Sequence, residues 1–183
     1  MSRGRATFEA GFAFERDIGY WLISMGFIVF MNVSLPRQPH ETKSTEIDIL
    51  ACSGFHIIVV EAKLLHELYG QSKDTEWIFV TSRKSLSKLN PILQNQRHIR
   101  RLGMYLGDKG FKDLAKLIPY NYVVVPSNCT VMSDSLYKNV YYKENFLSQM
   151  ERLKKSEVSS ELIELISLLP HKFDNVDEAL MEL

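Results

Sequence analysis

One stretch narrows the choice of fold more than any other. It runs from Thr45 to Lys63, Thr-Glu-Ile-Asp-Ile-Leu-Ala-Cys-Ser-Gly-Phe-His-Ile-Ile-Val-Val-Glu-Ala-Lys. Two apolar runs rich in β-branched residues flank the small-residue turn Cys52-Ser53-Gly54, the pattern of a β-hairpin with Gly54 free to take a positive φ. Strand side chains alternate, so Ile57, Val59, Glu61 and Lys63 share one face. That face begins apolar and ends charged. With Asp48 on the other strand, three charged groups stand among apolar neighbours. Burying charge without a partner costs several kcal/mol, so these groups need each other, a metal ion or water.

The rest of the chain predicts alternating helices and strands. Thr7 caps a helix running to about Met25, with Phe8, Phe12, Ile18, Trp21, Leu22 and Met25 as its apolar stripe. By pattern alone Glu15 is a solvated glutamate on that helix. Phe27 to Val33 is the first strand. Leu35 to Ser44 is a polar loop before the Asp48 strand, either a plain connector or a substrate loop. Leu64 to Trp77 has no clean period and is expected to be irregular with a helical turn. Trp77 to Thr81 is a short strand, and Ser82 to Asn90 a polar, basic segment. Asn90 and Pro91 open a helix that Gly107 and Gly110 end. After a short helix or turn at Phe111–Leu117, Tyr120–Val125, Thr130–Met132 and Val140–Tyr142 read as strands. Asn145–Lys155 and Ser160–Leu169 read as helices. The stripe Leu162, Ile163, Leu165, Ile166 and Leu169 suits a core-facing helix, or a homodimer face. The tail from His171 is acidic. No internal repeat or linker divides the chain, and its 183 residues suit a single domain with a substantial core.

Charge is zero overall but uneven. Between Arg83 and Lys112 lie Arg83, Lys84, Lys88, Arg97, Arg100, Arg101, Lys109 and Lys112, against Asp108 alone. A basic block of this kind is the footprint expected for a phosphate backbone, or else a solvated helix face. Lys88, Arg97, Arg100 and Arg101 are its candidates for nucleic-acid contact. Cys52 and Cys129 lack zinc spacing and read as free thiols. The Tyr20–Val33 stretch is too short to span a membrane. No secretory signal stands out, so an intracellular, cytoplasmic location is expected.

Asp48 and Glu61 can meet if the hairpin register allows. Two carboxylates offer hard oxygen ligands for Mg²⁺ or Mn²⁺. Lys63, two residues beyond Glu61, would bring an ammonium beside them, able to steady an attacking water or offset charge on a phosphate. Phosphodiester hydrolysis needs that combination. A salt bridge between Lys63 and either acid is the structural alternative, and on these three residues the two stand level.

A wider pattern adds to this. Gly11-x-x-x-Glu15, Glu46-Ile47-Asp48, Gly54, Val60-Glu61-Ala62-Lys63, Gly70, Trp77 and Asn90-Pro91-x-x-Gln94 occur in an order that resembles the NERD (nuclease-related) domain. That family is a branch of the PD-(D/E)xK, restriction-endonuclease-like superfamily. The resemblance covers roughly Arg5 to Tyr142. It implies an α/β fold with a mixed central β-sheet flanked by helices. It implies Asp48 and Glu61 as metal ligands, the carbonyl of Ala62 as a third, and Lys63 as the catalytic lysine. Glu15 would join the metal shell or hold its waters, and Gln94 would orient water or the substrate phosphate. Ile47 stands where the family often has Pro, and Leu64-Leu65-His66 follows the lysine. Glu46, on the Asp48 strand, is a second-choice ligand. His98, one helical turn after Gln94, is a second-choice cleft residue.

The expected activity is thus metal-dependent hydrolysis of DNA by Mg²⁺ or Mn²⁺. The alternative is a nucleic-acid-binding or adaptor module of the same fold without turnover. In either case a helicase or another nucleic-acid-processing subunit is a candidate partner.

Overall fold

A computed structural model describes residues 3–37, 45–82, 84–153, 156–171 and 173–174. The loop segment 38–44, Arg83, Lys154, Lys155 and most of the acidic tail lie outside the described residues. The hairpin expected at Thr45–Lys63 forms. Helix α1 (Arg3–Ser24) and strand β1 (Ile28–Leu35) precede it, and β2 (Thr45–Ser53) and β3 (His56–Ala62) make its arms. The turn sits one residue later than expected, at Gly54 and Phe55, with Gly54 at φ 57°. Helix α1 begins before Thr7, so Thr7 lies within it and does not cap it.

Strands β4 (Glu67–Tyr69), β5 (Glu76–Val80) and β6 (Ser85–Leu89) follow, then helix α2 (Pro91–Asp108). Strands β7 (Ile118–Val125), β8 (Thr130–Met132) and β9 (Val140–Tyr142), helices α3 (Lys143–Glu151) and α4 (Ser160–Ser167), and β10 (Phe173–Asp174) complete the order. The larger sheet runs β10-β1-β2-β3-β7-β9. It is antiparallel from β10 to β3 and parallel from β3 through β7 to β9. The smaller sheet runs β6-β5-β4-β8 and is also mixed. This is the mixed α/β architecture expected of a restriction-endonuclease-like fold.

The smaller sheet is the main departure from expectation. The Leu64–Trp77 stretch contains β4 in place of a helical turn, and the polar Ser82–Asn90 segment contains β6. Strand β4 has one fully buried side chain, Leu68, and its partners β5 and β8 close around it from both sides.

The helices cover both faces of the larger sheet. Ile18 and Leu22 of α1 and Phe146 and Met150 of α3 pack with Ile58, Val60 and Ala62. Leu102 and Leu106 of α2 and Leu162 and Ile166 of α4 pack with Ile57 and Val59. The α4 stripe therefore faces the core. Trp21, assigned to the α1 stripe, is instead 49% exposed. Both cysteines are free and buried. Among the described residues no helix is long and apolar enough to cross a membrane.

Gly70 and Trp77 earn a physical reason here. Trp77 is buried, and its Nε1 donates to the Gln71 carbonyl at 2.9 Å. A Cβ on Gly70 would clash with the Trp77 ring. We expect Gly70→Ala to lower stability by about 1–3 kcal/mol, as overpacking does. Thermal unfolding measures this, and an unchanged Tm would contradict the packing described.

Candidate active site

The hairpin register brings the acids together. β2 and β3 pair through Ile49↔Val60, and the next position along sets Asp48 opposite Glu61. Asp48 Oδ2 accepts the Ala62 N–H at 2.9 Å. At Ala62 it is thus the N–H that meets an acid, while its carbonyl remains an implied ligand. Lys63 lies just past the strand end, where its N–H donates to the Val124 carbonyl at 2.9 Å. Its ammonium contacts Glu61 Oε1 directly and stands 3.7 Å from Asp48 Oδ2.

Helix α2 supplies the opposite wall. The Asn90 side chain accepts the Ile92 N–H and donates to the Asp74 carbonyl, so the helix start is tied to the connection between β4 and β5. Asn95, fully buried, donates to the carbonyls of Val59 (3.1 Å) and Tyr122 (2.8 Å). Asn121 donates to the Ile92 carbonyl at 2.9 Å. These amides pin α2 across β3 and β7. Gln94 then reaches Glu61, its Nε2 donating to Oε1 at 2.7 Å. Both donors gather on Oε1. Glu61 Oε2 is buried with no hydrogen-bond partner and lies 3.9 Å from His98 Nδ1.

These groups line an open cleft of about 430 Å³ with Glu46, Leu89 and Arg97. On the far side Glu15 of α1 and Glu46 of β2 both accept from Asn32 Nδ2, at 3.3 and 3.5 Å. Asn32 has a φ of 52° and is almost fully buried. A non-glycine residue held there costs roughly 1–3 kcal/mol. Sequence reasoning missed Asn32 and Asn95. The available signal was a polar residue among apolar neighbours, Asn32 between Met31 and Val33 in β1 and Asn95 at a buried position of α2.

The expected residues divide as follows. The structure brings Glu61, Asp48, Lys63, Gln94 and His98 together, with Glu46 and Arg97 on the rim and Glu15 reaching the acids through Asn32. Lys88 and Arg100 are exposed, Lys88 on β6 and Arg100 on α2. Arg101, the fourth candidate for nucleic-acid contact, is buried. It is 9% exposed and sits on the inward side of α2 with His98 and Leu102.

The electrostatics follow from burial. Glu61 is wholly enclosed, and burial pushes its carboxyl up to about 7 against the pull of Lys63. Burial, then the charge of Asp48, raises Glu15 to about 7. Burial also raises Asp48, opposed by Lys63 and the Ala62 N–H. For Lys63 burial works against the charge, but Glu61 and Asp48 outweigh it and hold the ammonium above its ordinary range. His98 is pushed down to about 4 by burial and by Lys63, so at neutral pH it is an uncharged imidazole beside Glu61.

Hard oxygens around a partnerless buried carboxylate atom suit a small divalent cation. Among the described residues no three His, Cys, Asp or Glu side chains are grouped to hold one. Mg²⁺ does not require three, since it is commonly held by one or two carboxylates and keeps several waters. Asp48 and Glu61 meet that demand, provided that the Lys63 ammonium yields its place on Glu61.

A family model described as a nuclease-related domain (NERD) matches residues 10–127, well over half of the chain. The match begins and ends inside the Arg5–Tyr142 span expected, and it contains every acid of the cleft, Lys63, Gln94 and the α2 arginines. No curated protein and no solved structure matches.

The raised carboxyls have a measurable consequence. Unfolded Glu61 and Glu15 would titrate near 4.5, whereas folded they titrate near 7. Between those values the folded state holds more protons, so their contribution to stability is lost as pH rises through that window. Without divalent metal, the Tm of wild type is expected to carry this downward component from about pH 4.5 to 7, and Glu61→Gln to flatten it. Identical slopes in both proteins would contradict the assignment.

Proposed function

Because the chain belongs to the nuclease-related domain family, we propose that it is a metal-dependent nuclease that hydrolyses phosphodiester bonds of DNA. The observation that carries this reading is the convergence of Asp48, Glu61 and Lys63 at one end of the central β2–β3 pair, with Gln94 on the same Glu61 oxygen as Lys63. Asp48 and Glu61 would hold Mg²⁺ or Mn²⁺, with the Ala62 carbonyl and Glu15 contributing directly or through water. The ion would supply Lewis-acid polarisation of a phosphoryl oxygen and a more acidic bound water. Lys63 offers a positive charge beside the acids, where a phosphate oxyanion or an attacking water needs it. Gln94 holds Glu61 in orientation. His98, neutral and buried, closes the inner wall without adding charge.

Substrate grip would come from the cationic rim. Arg97 lines the cleft and Arg100 stands one turn along the exposed side of α2, with Lys88 on the neighbouring β6 edge. Phosphate contacts of this kind give affinity without sequence preference and fade with salt.

The direct Lys63–Glu61 ion pair favours a second reading, a nucleic-acid-binding module of this fold that does not turn over. Calorimetry separates the two. The nuclease binds Mn²⁺ in a manner that Asp48→Asn and Glu61→Gln abolish, and the module does not.

The activity test is incubation with linear, nicked and circular DNA, and with RNA, in Mg²⁺ or Mn²⁺. Asp48→Asn, Glu61→Gln and Lys63→Ala should each cut the rate by about 100-fold or more. Equal cleavage by wild type and Lys63→Ala would overturn the reading. Arg97→Ala and Arg100→Ala should weaken DNA binding across sequences and reduce the salt slope by about 1 each.

A further inference from the structure

Asn32 belongs to none of the expected roles, yet its placement is the most demanding in the sheet. On both sides of it β1 is apolar, with Phe30, Met31 and Val33 wholly buried. Its φ of 52° is one that asparagine tolerates better than most residues but takes only where its surroundings impose it. The backbone effect is visible across two strands. Val29 and Met31 pack with the α1 side of the sheet, but Val33 and Leu35 pack with the α2 side. Regular alternation would have kept all four on one face. The partner strand does the same, with Ile49 on the α1 side and Ile47 on the α2 side. The ladder pairs Met31↔Ile49 and Val33↔Ile47 and skips the pair between them, Asn32 and Asp48. The β1–β2 ribbon thus turns over at the position that carries Asp48.

The Asn32 side chain uses that turn. Its amide donates to Glu15 Oε2 on α1 and to Glu46 Oε1 on β2, joining two acids from separate elements beside Asp48. Its Oδ1, buried, has no hydrogen-bond partner.

We infer that Asn32 is a positioning residue. Its left-handed backbone sets the ribbon reversal that presents Asp48, and its amide clamps Glu15 and Glu46 toward the cleft. The inference rests on the nuclease reading for its catalytic consequence, though not for the clamp itself. Asn32 bonds the two acids Glu15 and Glu46 and none of the basic residues, so it acts on the acids and not on nucleic-acid affinity.

Glycine takes a positive φ without strain, so Asn32→Gly keeps the ribbon and removes only the amide. It should lower kcat and Mn²⁺ affinity by about 10–100-fold, the usual effect of losing a partner of a metal ligand. KM for DNA should stay within about twofold, because Asn32 is buried away from the phosphate contacts. Asn32→Asp, nearly isosteric but without a donor, should not rescue. Wild-type kcat and wild-type Mn²⁺ affinity in Asn32→Gly would overturn the inference. A further measurement is independent of turnover. The Tm shifts of Asn32→Gly and Glu15→Ala should be non-additive by about 2 °C or more, as for directly bonded partners. Additive shifts would overturn the clamp. Should wild type itself neither bind Mn²⁺ nor cut DNA, the nuclease reading falls, and the Tm coupling alone then decides the role of Asn32.

Discussion

Glu61 is a carboxylate with no exposure to solvent, set near the end of β3, whose residues from Ile57 to Ala62 are all buried. An ionised carboxylate in such a place costs several kcal/mol unless it is paired and hydrogen-bonded. The parts of the structure nearest to it answer that demand. Lys63 and Gln94 converge on one oxygen, and His98 stands beside the other. One atom, Oε2, remains without a hydrogen-bond partner.

The scaffold makes this arrangement rigid chiefly through amides. Asn90, Asn95 and Asn121 fasten α2 to the β4–β5 connection and the larger sheet, and Asn32 fastens α1 to β2. Neutral amides suit the task, since they satisfy buried carbonyls and carboxylates without adding another charge to desolvate. The basic residues are kept mostly outside, on the exposed side of α2 and the edge strand β6. Asp48 and Glu61 deep, with Arg97, Arg100 and Lys88 outside, is a distribution that suits a polyanionic substrate and a small metal ion.

Much of this was legible in the sequence because it rests on local signals. The β-branched runs around Gly54 declared the hairpin, and Asn90-Pro91 declared the α2 start. Glu61 and Lys63 fell on one strand face by simple alternation. The smaller sheet was not legible. Strand β4 is three residues long and is held by β8, some sixty residues later, so its stability is non-local. Strand β6 carries Ser and Lys at an exposed edge, which is also what a loop looks like. The burial of Arg101 was not legible because a linear count of charge ignores helical period. Lying three residues after His98 and next to Leu102, it turns inward with them. The left-handed backbone of Asn32 was not legible, since nothing in a sequence announces such a residue within a strand.

The central claim is that Asp48 and Glu61 form a cation site from which Lys63 can be displaced. A crystal of the wild-type protein soaked in Mn²⁺ and measured for anomalous scattering tests it most directly. The account predicts an anomalous peak between the two carboxylates, with the Lys63 ammonium moved off Glu61 Oε1. A crystal that shows no such peak and keeps the Lys63–Glu61 pair intact would contradict it.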